Sequence, residues 1–139
     1  MTLPGPRADG WRPPEGFEPL ASTSTRHGRI DLYVDAGPRR VLAHPSGSIG
    51  PELLRREIAY LRAFASGRRA VWRYVVDVAD VTVVNPLNVL WLRQVKQLPG
   101  LDRYDVASPS PVARQVQRAL SPVVGAVVHR TLEAALEPT

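Results

Sequence analysis

The chain has 139 residues, a formal net charge of +5 and no cysteine. That length fits one domain with a single core, and the absence of thiols excludes disulfide scaffolds and thiolate chemistry. No stretch approaches the ~20 apolar residues of a membrane-crossing helix, and Met1 is followed by prolines rather than an apolar leader, so a cytoplasmic protein is expected.

All of the charge excess lies in residues 27–73, where nine arginines face Asp31, Asp35, Glu52 and Glu57. Localised positive charge attracts phosphates or acidic surfaces. The dense points here, Arg39-Arg40, Arg55-Arg56 and Arg68-Arg69, fall at turns or on the outer face of a helix. No aromatics are interleaved with them for base stacking, so nucleic acid is not the expected partner.

Residues 1–26 hold five of the fourteen prolines and the polar run Ala21–Thr25, with no period of 2 or 3.6. They read as an irregular arm, whose Trp11 or Phe17 could pin onto another surface. A single α/β domain is expected over 27–139. Ile30–Val34 and Arg40–Pro45, separated by the turn residues Asp35-Ala36-Gly37-Pro38, predict a hairpin. Gly50-Pro51 then opens a helix, with Leu54, Ile58, Leu61 and Ala65 on one face and Gly67 as the stop.

Ala70–Val78 is a nearly continuous apolar run, the pattern of a strand covered on both faces. After Asp80 and Val81–Val84, Asn85 is placed to cap a helix with Pro86 at its first position. Leu87, Leu90, Trp91, Val95 and Leu98 are expected to face inward until Pro99-Gly100 ends this helix. Arg103–Ala107 predicts a last strand, Ser110-Pro111 a short helix, and Ser121-Pro122 a final helix to about residue 136. The order β-β-α-β-α-β-α-α implies a small mixed sheet of four to five strands with amphipathic helices packed on it.

Few residues carry recognisable chemistry. His27, His44 and His129 show no metal-ligand spacing, and neither metal nor cofactor is expected. Asp77 and Asp80 could pair as catalytic carboxylates, but read more simply as groups serving the strand end and the bend. Ser46-Gly47-Ser48-Ile49-Gly50 departs from a nucleophile elbow because position 46 is Ser. Ser48, with Arg39 and Arg40 brought close, could instead form an anion site at the start of helix 51–66. No enzyme is expected.

The stretch Val75-Val76-Asp77-Val78-Ala79-Asp80-Val81-Thr82-Val83-Val84-Asn85 resembles the strand motif of STAS domains. These form the fold of bacterial anti-sigma-factor antagonists and of the cytoplasmic tails of sulfate transporters. Asp77, Val81 and Asn85 fall at the family's aspartate, valine and aspartate positions, and the likeness covers about residues 38–120. In the family's antagonists, a Ser or Thr at the mouth of the following helix is phosphorylated to switch partner binding. Here that turn is Asn85-Pro86-Leu87-Asn88, without a hydroxyl, and Thr82 lies in the strand, where a kinase would reach it with difficulty.

The resemblance implies a non-enzymatic regulatory module that docks a protein partner, or a second copy of itself as a homodimer. The docking surface would be the helix start Asn85, Pro86, Leu87, Asn88 and Trp91. The alternative is a carrier of a small apolar or acyl ligand, held between sheet and helices and lined by helices 86–98 and 122–136.

Overall fold

The computed structural model describes residues 11–35, 39–66, 71–85, 87–111, 114, 118, 122 and 125–137. Seven strands form one mixed sheet: β1 (Phe17–Ser24), β2 (Gly28–Asp35), β3 (Arg40–Ile49), β4 (Trp72–Asp77), β5 (Asp80–Val84), β6 (Leu101–Ala107) and β7 (Val127–His129). The spatial order is β1-β2-β3-β4-β6-β7, antiparallel through β3 and parallel beyond it. The long β3 has two parallel neighbours on one side: Arg40–Ala43 pair with β4, and Ser46–Ile49 with β5. The helices are α1 (Pro51–Ala65), α2 (Asn88–Leu92), continued by a 3-10 turn over Arg93–Gln97, and α3 (Leu132–Leu136). Pro111, Arg114, Arg118 and Pro122 are also helical.

Strand alternation sorts the core into two layers. Ile30, Leu32, Val41, Ala43, Trp72, Tyr74, Val76, Tyr104 and Val106 share one cluster with Leu53, Leu54, Ile58 and Leu61 of α1 and with Val95 and Leu98. Tyr33, Leu42, Val75 and Ala107 belong to a second cluster, with Phe17, Ala135 of α3 and the half-buried Trp11. β4 is therefore apolar in both directions, as its continuous hydrophobic run predicts. The Trp72 indole is buried against Phe64 and donates to Pro99 O at 2.8 Å.

Several expectations are corrected. The sheet has seven strands rather than four to five. Part of the segment 1–26, read as irregular, is the edge strand β1, whose ladder shifts register between Pro19 and Ala21. Residues 122–136 do not form one helix, because Val127–His129 add to the sheet beside β6 before α3 begins at Leu132. The helix expected over 86–98 is α-helical only to Leu92. The tighter 3-10 turn repeats every three residues, which aligns Leu92, Val95 and Leu98 toward the core. Pro86 itself lies outside the described residues.

The turn between β1 and β2 packs tightly against the end of β3. Gly28 pairs with Gly47, and a Cβ added at Gly28 would run into the carbonyl oxygen of Ser48, with the Ser48 carbonyl carbon at 2.8 Å and Leu53 Cδ1 at 3.2 Å. Because the obstacle is backbone, Gly28→Ala is expected to cost about 1–3 kcal/mol of stability. A urea titration measures this, and an unchanged midpoint would show that the junction gives way freely.

Candidate functional site

Between the sheet and the helices α1 and α2 lies a pocket of about 130 Å³. Its floor includes Ile30, Tyr74, Val76, Tyr104 and Val106, and its roof Leu54, Glu57, Asn88 and Leu92. Pro45, Ile49, Val78 and Val81 complete the wall where β3 and β4 give way to β5. Here the chain leaves β4 after Asp77, whose Oδ1 accepts from Ala79 N at 3.0 Å, and resumes as β5 at Asp80.

The polar groups in this apolar wall are unusual. Glu57 sits among Leu54, Ile58 and Leu61 on the buried face of α1 and is 3 % exposed. Its Oε2 accepts from the Tyr74 hydroxyl at 2.6 Å. Burial lifts the Glu57 carboxyl from 4.5 to about 7, opposed only in part by the Tyr74 hydrogen bond. Burial, then the neighbouring Glu57, also push the Tyr74 and Tyr104 hydroxyls up, so both stay protonated at neutral pH. The two rings lie 5.1 Å apart.

Asn88 supplies the remaining polar atoms. Its Nδ2 donates to Ile49 O at 2.9 Å, while its Oδ1 is buried without a hydrogen-bond partner. Such an unmet acceptor costs about 1–3 kcal/mol. Two hydrogen bonds precede Asn88 in the turn: Asn85 Oδ1 accepts from Leu87 N at 2.9 Å, and Asn85 N donates to Ile49 O at 3.4 Å. This turn fastens the start of α2 to the end of β3.

The expected docking residues therefore separate. Asn85 is half-buried in the turn, Asn88 is buried in the pocket roof, and Trp91 packs partly into the core. Leu87 and Leu90, expected to face inward, are instead 58 % and 57 % exposed, and Val83 on β5 is 57 % exposed. Thr82, expected to be hard to reach, is exposed.

The proposed anion constellation is not assembled. Ser48 lies near the C-terminal end of β3, whereas Arg39 and Arg40 lie at its start, ~25 Å away along an extended strand. Arg40 is engaged by Asp35 (2.6 Å) and by Leu136 O (2.8 Å). Other arginines of the basic stretch also meet partners within the chain, Arg29 at Asp31 and Arg73 at Asp105.

The opposite face of the sheet carries a polar network that the sequence did not reveal. Trp11 stacks on the buried His44 at 3.8 Å and donates to Asp77 Oδ2 at 3.0 Å, while His44 Nε2 meets Asp80 Oδ2 at 2.7 Å. Asp77 and Asp80 thus each hold a structural partner. Among the described residues, no group of three His, Asp or Glu is placed to hold a metal ion, and no helix is long and apolar enough to cross a membrane.

Comparison with solved structures places this architecture. An uncharacterised protein of the DUF3478 family from Shewanella loihica PV-4, with a SpoIIAA-like fold, superposes with a TM-score of 0.60. The fold is SpoIIAA-like. The match covers 82 % of this chain and 95 % of the other at 11 % identity, so it bears on fold alone. It agrees with a divergent STAS-like domain. No family model matches the sequence, and no curated protein does.

Proposed function

We propose that this protein binds a small, mostly apolar ligand between its sheet and the helices α1 and α2, without catalysing its conversion. The observation that carries this reading is the pocket itself: an apolar wall interrupted by the buried Glu57–Tyr74 pair. Binding sites commonly combine a largely apolar lining with a few convergent polar groups. Native mass spectrometry of protein purified from its own host tests it. The wild type should carry a small organic mass that is absent from Val76→Phe, a variant that fills the pocket floor. A wild type that is consistently empty overturns the reading.

A second reading is protein docking through the hydroxyl-free corner, favoured by the exposed Val83, Leu87 and Leu90. It would be a regulatory contact made without phosphorylation. On this reading Leu87→Arg abolishes partner capture and leaves thermal stability within about 0.5 kcal/mol of wild type. Capture unaffected by Leu87→Arg counts against it.

A further inference from the structure

We propose that the ligand of this pocket carries an ammonium group on a small apolar body and pairs it with the carboxylate of Glu57. This rests on the pocket being a ligand site, and specifies what enters it. Glu57 is buried on α1. Among the described residues its one hydrogen-bond partner is the Tyr74 hydroxyl, 2.6 Å from Oε2, and that partner is neutral. Oε1 remains uncommitted. The unpartnered side-chain polar atoms that the fold seals off are His44 Nδ1, Arg73 Nε, Asn88 Oδ1 and Ser108 Oγ. Glu57 Oε1 is not one of them, so it borders open space, and the space that Glu57 lines is the pocket.

Buried charges in proteins are paired, and an unpaired carboxylate is the costly exception. The other titratable residues of the lining, Tyr74 on β4 and Tyr104 on β6, stay protonated and neutral, and β2, β3, β5 and α2 contribute none. A ligand carboxylate would therefore enter beside Glu57 with no counter-charge. A ligand hydroxyl would donate to Oε1 but leave the charge standing. An ammonium cancels it. Folding has already stripped Glu57 of water, so pairing bears the desolvation of the ammonium alone. The volume, about 130 Å³, is close to that of a dry cavity that admits benzene, so the apolar body is one ring or a short branched chain.

The pairing makes binding depend on pH. Burial holds the Glu57 carboxyl at about 7, so its ionised share rises from about 1 % at pH 5 to about 90 % at pH 8, while an alkylamine stays protonated throughout. The test titrates benzylamine, toluene and benzoate, matched in shape, into the full chain at both pH values by ligand-observed NMR. Benzylamine should bind about tenfold or more tightly at pH 8 than at pH 5, and at pH 8 should exceed toluene and benzoate, with toluene indifferent to pH. Glu57→Gln should lower benzylamine to the affinity of toluene and remove its pH dependence, and Val76→Phe should bind none of the three. Benzylamine no tighter than toluene at pH 8, unchanged between the two pH values, or unaffected by Glu57→Gln overturns the amine assignment. Toluene binding that Val76→Phe abolishes would then still leave the pocket a ligand site. Benzylamine binding that persists in Val76→Phe belongs to surface carboxylates and equally overturns the assignment. Failure of all three probes to bind removes the ligand site and this inference with it. The pH series on the wild type is decisive even where a variant does not fold.

Discussion

Glu57→Gln is expected to be more stable than the wild type by about 3 kcal/mol at pH 8 and close to it at pH 5. In the folded chain, burial holds the Glu57 carboxyl at about 7 against an ordinary 4.5. Between those values the folded state keeps a proton that the unfolded chain has released. The resulting stability is fully present below pH ~4.5 and is lost as pH rises through ~7. Glutamine fits the same space with no charge to desolvate, and its carbonyl can still accept from the Tyr74 hydroxyl. Urea unfolding of both proteins at several pH values measures the effect, and subtracting one curve from the other cancels every group they share. A difference that stays constant from pH 5 to 8 would refute it. The consequence for function is that one wall of the pocket changes charge near neutrality.

Much of the scaffold is legible because its signals are local. Pro51 at the first position of α1 and the stripe Leu54, Ile58, Leu61 and Ala65 depend on neighbours in the same turn or the next. The two-faced apolar run of β4 needs only its own alternation to be read. What escapes reading depends on distant partners. β1 carries Pro19 and a register shift, so no period survives in its sequence, and its strand state comes from the ladder with β2. β7 is three residues long and is specified by its pairing with Asp105–Ala107 of β6. The inward set expected of residues 87–98 fails for Leu87 because it lies in the turn before α2 begins at Asn88, and for Leu90 because the 3-10 turn that follows α2 sets Leu92, Val95 and Leu98 as the inward line.

Of the corner Asn85–Trp91 expected to dock a partner, Leu87 is exposed, whereas Asn88 is buried and lines the pocket. Glu57 has a local signal, a carboxylate placed between Leu54 and Leu61 on an otherwise apolar helical face. Its partner Tyr74 lies seventeen positions away on β4, and no spacing rule links a helix residue to the strand that follows it.

Asp105→Ala is expected to cost about 3–5 kcal/mol, the range for removing one member of a buried ion pair. The carboxylate is fully buried on β6 and binds three cationic or potentially cationic groups. Oδ1 accepts from Arg103 Nε at 2.9 Å and meets His129 Nε2 at 2.8 Å, while Oδ2 accepts from Arg73 Nη2 at 3.1 Å. Arg73 in turn donates to Ala135 O at 2.9 Å and Glu137 O at 3.0 Å, meeting carbonyls that the end of α3 leaves without helical partners. Asp105 therefore holds the guanidinium that holds α3, and its loss leaves the half-buried Arg73 and Arg103 without their shared counter-charge. The damage should be ordered in space. Amides of residues 132–137 and of β7 should lose hydrogen-exchange protection before those of α1, which leans on the other layer of the core. Uniform loss of protection across the sheet, or a variant as stable as wild type, would show that α3 is held by Ala135 packing alone and that the ionic relay adds nothing.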